Sequence, residues 1–280
     1  MRLSYRLVNV FTQNGGKLTG NPLCVFEDGS GLDTEQMQAL ALQFNLSETT
    51  FISASDKADA RVRIFAPSYE MPFAGHPTLG TAHALRAMKK LGNEVKLELN
   101  VGVIPVQAQG NNWELRANAS TTRKPKASRS ELAAAMGLNE SDILEPVLWV
   151  NSGNEQLIVP LASEAAVRRV KISFEALQRV TADGTRPMAY VFAVTGSDTL
   201  LSRFFFSKGE SMLEDPATGS ATANLGGWYL ANKVSLPFDT TISQGELVGR
   251  PSTLRLRIDA ERTVFVAGEV VELGGGYIEL

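Results

Sequence analysis

A chain whose second half repeats its first can fold only as two copies of one domain design, and this chain does repeat. Arg63-Ile64-Phe65-Ala66-Pro67-Ser68-Tyr69-Glu70 returns 140 positions later as Arg203-Phe204-Phe205-Phe206-Ser207-Lys208-Gly209-Glu210, with Arg, Phe and Glu in place. Pro77-Thr78-Leu79-Gly80-Thr81-Ala82-His83-Ala84 returns at a shift of 139 as Pro216-Ala217-Thr218-Gly219-Ser220-Ala221-Thr222-Ala223. Both copies run from an aromatic, strand-like stretch through a Gly/Pro turn into a small-residue helix. A weaker echo sets Gly20-Asn21 before Leu23-Cys24-Val25-Phe26 and Gly153-Asn154 before Leu157-Ile158-Val159. A period this long means paired domains and not a solenoid of short repeats.

Strands dominate the local signals. Tyr5 to Phe11, Leu23 to Phe26, Thr49 to Ile52 and Ala60 to Phe65 read as strands. Between them, Asp33 with Gln36 forms a capping-box pattern ahead of Met37, Leu40, Ala41 and Phe44, which mark an amphipathic helix. A second helix is predicted over roughly His76 to Leu91, closed by Gly92. Its faces are crowded with Ala, Leu and Met, so it is expected to be wrapped by other structure. Strands return over Val95 to Leu99, Val101 to Ala108 and Trp113 to Ala117. Ser120 to Arg129 is polar, basic and broken by Pro125, and reads as the linker. The second half keeps the rhythm: helices over Ser130 to Met136 and Ser173 to Val180, strands around Val147, Leu157, Met188 to Val194 and Leu200 to Phe206, a small-residue helix from Gly219 to about Ala231, and closing strands. The expected class is therefore α+β: two pseudo-symmetric halves, 1–119 and 120–280, each a β-barrel-like sheet around a central apolar helix, with the last strand able to pack back on the N-terminal half. A parallel βαβ fold needs far more helices.

Composition removes several functions. With 27 basic against 30 acidic residues the chain carries a net charge of −3, so it has no basic field for nucleic acid. No apolar run approaches the ~18–20 residues of a membrane span. The N-terminus, with Arg2 and Arg6 among apolar residues, reads as a strand and not a signal peptide, and the cytoplasm is the simplest compartment. A single cysteine, Cys24, excludes an internal disulfide, and with only two histidines a zinc site lacks ligands. Nucleotide-binding glycine motifs are absent.

Three segments carry candidate chemistry. Glu48, in Asn45-Leu46-Ser47-Glu48-Thr49-Thr50-Phe51, lies at a helix-to-strand junction beside apolar residues. It is either an ordinary solvated turn carboxylate or one sheltered enough to carry a proton near neutral pH. In Phe73-Ala74-Gly75-His76-Pro77, Gly75 permits close backbone approach, Pro77 suits a helix first turn, and the free N–H groups there suit a carboxylate. His76 sits at this mouth; His83, two turns on, reads as a core histidine. In Glu214-Asp215-Pro216-Ala217-Thr218-Gly219-Ser220, Asp215 or Thr218 serves as a helix cap, or Asp215 is an acid or base beside N–H donors of Gly219 and Ser220. Halves packed face to face would bring both helix N-termini into one cleft around a small carboxylate.

Taken together, these segments, with Gly20-Asn21-Pro22-Leu23-Cys24-Val25-Phe26, Phe65-Ala66-Pro67 with Glu70, and Gln244-Gly245 with Gly249-Arg250-Pro251, resemble the phenazine-biosynthesis (PhzF-like) isomerase family, whose fold is related to diaminopimelate epimerase. The resemblance covers nearly the whole chain. It implies an active site between two similar halves, Glu48 as proton carrier, His76 and Asp215 as assisting residues, and Gly75, Gly219 and Ser220 facing the substrate. It also implies no metal or organic cofactor, a homodimer, and a small carboxylated, dihydroaromatic type of substrate. The related epimerases use two cysteines; this chain has Cys24 alone, inside an apolar strand, where packing is its expected role.

Two other classes stay open at this level. One is a small-molecule-binding protein of the same fold without turnover. The other is a serine hydrolase using Ser220 with His76 and Asp215, although no Gly-x-Ser-x-Gly elbow is present. The loops around Thr12 to Thr19, Val150 to Glu155 and Thr181 to Arg186, which would set selectivity, have no readable code.

Overall fold

The computed structural model describes residues 1–280. In chain order the first elements are β1 (Arg2–Val10), β2 (Asn21–Phe26), α1 (Thr34–Phe44), β3 (Glu48–Ser53), β4 (Ala60–Ala66), β5 (Tyr69–Met71), α2 (Gly75–Lys89), β6 (Glu94–Leu99), β7 (Gly102–Gln109) and β8 (Asn112–Arg116). There follow β9 (Thr121–Arg123), α3 (Arg129–Met136), β10 (Leu148–Asn151), β11 (Glu155–Pro160), α4 (Glu164–Arg169), α5 (Phe174–Val180), β12 (Met188–Val194) and β13 (Thr199–Lys208). The chain closes with β14 (Ser211–Asp215), α6 (Gly219–Ala231), β15 (Phe238–Gln244), β16 (Ser252–Ile258) and β17 (Val264–Glu279). Two compact units result, one of Met1–Leu115 with Ala267–Leu280, the other of Arg116–Val266. No helix is long and apolar enough to cross a membrane.

In the first unit, β1, β2, β3, β4, β6, β7, β8 and β17 pair in that order, and β17, whose earlier part lies against β8, closes on β1 with its later part. The result is a closed eight-stranded barrel with two parallel pairings, β2 with β3 and β4 with β6. A barrel of this size has room for little besides side chains, yet it takes in α2. Small residues make that possible. Thr78, Leu79, Gly80, Thr81, Ala82 and Ala84 are all buried. A β-carbon on Gly80 would stand 2.6 Å from Leu23 Cδ2 and 2.9 Å from Val10 Cγ2. The hydroxyls of Thr50 and Thr81 meet at 2.8 Å, satisfying the polar atoms that helix and strand bring inside. Outside the barrel, α1 covers Cys24, Phe26, Phe51 and Phe65, with the Phe26 and Phe51 rings stacked at 4.8 Å. The Asp33–Gln36 capping box forms as its pattern predicts. Cys24 is fully buried in this cluster, and burial pushes its thiol far above the ordinary range.

The second unit repeats this pairing strand for strand. β10, β11, β12, β13, β15 and β16 follow one another, again with two parallel pairings, β11 with β12 and β13 with β15. α6 holds the place of α2, and α4 and α5 stand where α1 does. The linker expected over Ser120 to Arg129 instead contributes a short strand. Thr121 and Thr122 favour extended backbone, and Arg123 pins β9 by reaching both Glu155 and Asp183 at 2.9 Å. α4, with Ser163 as its cap, has too few residues to show a period.

The register of the repeat differs from the sequence reading. Phe65 pairs with Glu70 across the β4–β5 hairpin, and Phe205 pairs with Glu214 across β13–β14. The counterpart of Glu70 is therefore Glu214, because the second hairpin is longer, and Glu210 lies in its turn. Each glutamate binds its arginine: Arg63 to Glu70 at 2.6 Å, Arg203 to Glu214 at 2.7 Å. Each guanidinium also lies over a phenylalanine, Phe65 or Phe205. Beyond the hairpin the shift is 144, not 139, so that Gly75 opens α2 as Gly219 opens α6. The hydroxyls confirm it: Thr78 donates to the Ala74 carbonyl and Thr222 to the Thr218 carbonyl.

The fit of α2 inside the barrel is testable. Gly80→Ala should lower the unfolding free energy by about 1–3 kcal/mol through overpacking, read from urea unfolding. An unchanged midpoint would mean the barrel yields freely around the helix.

Candidate functional site

The first unit brings Glu48 and His76 together. Asn45, in the left-handed conformation at φ 48°, ends α1 and turns the chain so that Glu48 begins β3. Side chains alternate along a strand, so Glu48 shares a face with Thr50, which meets Thr81 of α2. His76 is the second residue of α2. Its Nε2 stands 3.2 Å from Glu48 Oε2, and the two side chains are 8% and 15% exposed. His76 also hydrogen-bonds the backbone of Pro22. Proline has no N–H, so its carbonyl accepts and the imidazole donates. With Nε2 turned to Glu48, Nδ1 is the donor, and Nε2 presents its lone pair. Burial lowers His76 to about 3, so the imidazole is neutral near pH 7. The solvated-turn reading of Glu48 does not describe this environment.

Asp215 ends β14 in the second unit. Thr218 Oγ1 donates to its Oδ2 at 2.5 Å. Gln244 of β15 then straps the turn: its Nε2 donates to the Asp215 carbonyl at 2.8 Å and to Thr218 Oγ1 at 3.0 Å, and its Oε1 accepts from the Thr218 N–H at 3.3 Å. Gly245, at φ +79°, follows because a β-carbon there would lie 2.4 Å from the carbonyl oxygens of both Pro216 and Arg250. Neither Asp215 nor Thr218 caps α6 by its side chain, and α2 has no side-chain cap either. First-turn N–H groups of Gly75 and His76, and of Gly219 and Ser220, thus project from uncapped helix starts as donors for an anion.

Ser220 Oγ receives Gln156 Nε2 at 3.0 Å. An amide has no basicity, so this contact does not activate a nucleophile, and the hydrolase reading gains nothing from it. His83 accepts from Trp113 Nε1 at 3.1 Å, and burial chiefly, then Arg86, lowers its pKa; it is a half-buried histidine with its partner inside the fold. No three His, Cys, Asp or Glu side chains gather as metal ligands would.

The two units differ at the candidate residues. Thr49 and Ala189 hold equivalent places, opposite Phe65 and Phe205, so Glu48 corresponds to Met188. Met71 pairs with Ile64 as Asp215 pairs with Phe204, so Asp215 corresponds to Met71. Each unit carries one carboxylate where the other has methionine, and His76 answers to Ser220. Sequence reading passed over Gln156, Asn224 and Gln244 as functional residues. The available signal was the lone amide Asn224 inside an otherwise small and apolar helix; Gln156, beside Glu155, and Gln244, among Thr and Ser, carried none.

Comparison with known proteins agrees with this geometry. Residues 8–276 match the family described as phenazine biosynthesis-like protein. An uncharacterized isomerase of Pasteurella multocida is 36% identical over 98% of this chain and 93% of its own length. The trans-2,3-dihydro-3-hydroxyanthranilate isomerase of Pseudomonas aeruginosa is 33% identical over 98% and 97%. The crystal structure of a Bacillus anthracis PhzF-family phenazine biosynthesis protein superposes over 100% of both chains with a TM-score of 0.89 at 25% identity. A probable proline racemase from Agrobacterium radiobacter shares the fold at a TM-score of 0.64 and 11% identity, covering 99% of this chain and 93% of that one. The chain belongs to the phenazine biosynthesis-like family and is an isomerase of the PhzF type.

Proposed function

We propose that this isomerase shifts a proton on a small carboxylated, dihydroaromatic metabolite without a cofactor, and that Glu48 carries the proton. The observation that supports this most is the Glu48–His76 pair, sheltered from water and replaced by Met188 and Ser220 in the other unit. A carbon-bound proton is a weak acid, so its removal requires that the substrate conjugate the resulting charge and that donors hold it. In this reading the carboxylate accepts from the helix starts at Gly75 and Gly219, with Ser220 beside them. Glu48 in its ionised form takes hydrogen as a proton from a saturated ring carbon. The electron pair moves into the ring's conjugated system, and the same carboxyl returns the proton to a different carbon. Nothing is gained or lost overall. The buried His76 ring walls the carboxyl off from water, and Asp215, held by Thr218, accepts from a polar hydrogen on the substrate. The same reading keeps a homodimer as the expected assembly, to be measured by sedimentation.

Turnover is tested with trans-2,3-dihydro-3-hydroxyanthranilate, the compound named for the Pseudomonas relative, in deuterated water. The wild-type chain should place deuterium on a ring carbon. Glu48→Gln should lose about 10²–10⁴-fold in rate, the usual worth of a general acid–base group. Asp215→Asn should also lower kcat, although it lies in the other unit. Full activity in Glu48→Gln sinks the assignment. Tight binding with no exchange by the wild type favours a binding protein without turnover.

Stability should follow the buried imidazole. His76 stays neutral in the folded chain down to about pH 3, whereas the unfolded chain protonates it near 6.5. Between those values the unfolded state binds more protons, so the unfolding free energy falls as pH falls. Urea unfolding from pH 7 to pH 4 should show this, with a shallower decline in His76→Gln. Equal slopes would mean His76 is protonated in the folded state.

A further inference from the structure

Gln156 and Asn224 are fully buried. They form a chain of hydrogen bonds ending on Ser220. The Ser152 backbone N–H reaches Asn224 Oδ1 at 2.9 Å, and Ser152 Oγ donates to the same oxygen at 2.7 Å. Asn224 Nδ2 donates to the Asn154 carbonyl and to Gln156 Oε1, both at 2.8 Å. Gln156 Nε2 donates to Ser220 Oγ at 3.0 Å.

The direction of this chain is not a free choice. A backbone N–H can only donate and a backbone carbonyl can only accept. Ser152 therefore fixes the oxygen of Asn224, and Asn154 fixes its nitrogen. That nitrogen fixes the oxygen of Gln156, which leaves the Gln156 nitrogen facing Ser220. Ser220 Oγ is thus an acceptor on its inner side, and its own hydrogen is left for a group outside the protein. Ser220 is half-buried, on the first turn of α6.

The fold does not require these amides. Asn224 lies five residues into α6, as Gly80 lies five into α2, and Gln156 holds the place of Leu23 one residue before the equivalent pair Cys24 and Leu157. In the first unit the same two positions make an apolar Leu23–Gly80 contact. Burying two amides costs free energy that a Leu–Gly contact does not, and only the unit bearing Ser220 has them.

We propose that Gln156 and Asn224 are positioning residues that set the Ser220 hydroxyl as a hydrogen-bond donor toward an anionic oxygen of the substrate, its carboxylate. The β10–β11 turn, through Ser152 and Asn154, is the anchor of that setting. The assignment rests on the isomerase reading only in placing substrate at Ser220.

Two probes of one shape separate the possibilities: anthranilate, which carries a carboxylate, and 2-aminobenzamide, which carries a carboxamide. Dissociation constants are measured by calorimetry for the wild type, Ser220→Ala, Gln156→Glu, and Gln156→Glu in the Ser220→Ala background. Glutamate at 156 keeps the size of glutamine and still accepts from Asn224, but it cannot donate to Ser220. The serine hydrogen is then drawn inward and a lone pair faces the ligand. Gln156→Glu should weaken anthranilate about 10-fold or more, the scale of a hydrogen bond to a charged group, with 2-aminobenzamide changing by less than about 3-fold. Without the Ser220 hydroxyl the Gln156→Glu change should have no further effect, a coupling that mere structural damage does not produce. Gln156→Met, which removes the donor without adding a charge, should give an intermediate loss and serves where the glutamate variant does not fold. Additive losses, unchanged selectivity between the probes, or a wild type indifferent to the carboxylate each overturn the proposal. Failure of the isomerase reading has a different appearance: carboxylate selectivity and coupling intact, with no turnover.

Discussion

A closed ring of eight strands leaves space for a helix only if that helix is nearly bare. This steric limit governs the first unit. It accounts for Gly80 against Leu23 and Val10, for the run of Thr and Ala along α2, and for the shared hydroxyl contact of Thr50 and Thr81. It also decides which backbone donors can be reached. A helix buried along its length is accessible at its ends, and its N-terminal end carries the unpaired N–H groups and the positive end of the dipole. Gly75 and His76 stand at that end of α2, and Gly219 and Ser220 at the same end of α6. Side-chain caps would occupy these donors, and both helices lack them.

Duplication of the fold did not duplicate the site. The Arg–Glu pair leaning on a phenylalanine is kept in both units, as is the Thr hydroxyl in the helix's first turn. Those features hold the hairpin and the helix start, which both copies need. The carboxylates are not kept: Glu48 faces Met188 in the comparison, and Asp215 faces Met71. The second unit also exchanges Leu23 and Gly80 for the buried amides Gln156 and Asn224, and Leu99 for Gln244, since Ile242 stands beside Leu200 as Leu97 stands beside Ala60. Interior amides are tolerated only when their donors and acceptors are met, and here they are met by backbone groups and by one another. Their directions are consequently fixed, which gives rigid placement to Asp215, Thr218 and Ser220.

Much of the scaffold was legible from residues alone. The capping box at Asp33, the helix from Gly219 to Ala231 and the strand alternation over Ala60 to Phe65 are local signals with local causes, and they appear as expected. The register of the repeat was not legible past Glu70. Small residues match one another at several offsets, and the longer β13–β14 hairpin moves every later position. The strand within Ser120 to Arg129 was hidden as well, because three residues show no period and their partners, Glu155 and Asp183, are distant in the chain. The meaning of Gln156 and Asn224 depends on a neighbour 68 residues away.

From the sequence came the repeat, the two small-residue helices and the residue types able to do proton chemistry, since composition, spacing and capping are properties of neighbouring residues. Tertiary structure alone decided that Glu48 meets His76 at 3.2 Å, that Asp215 is bound by Thr218 and not by a helix it caps, and that Ser220 accepts from Gln156. Each of these depends on which atoms of remote segments come within a hydrogen bond's length and with what polarity, and distance and direction between remote segments are fixed only when the strands close.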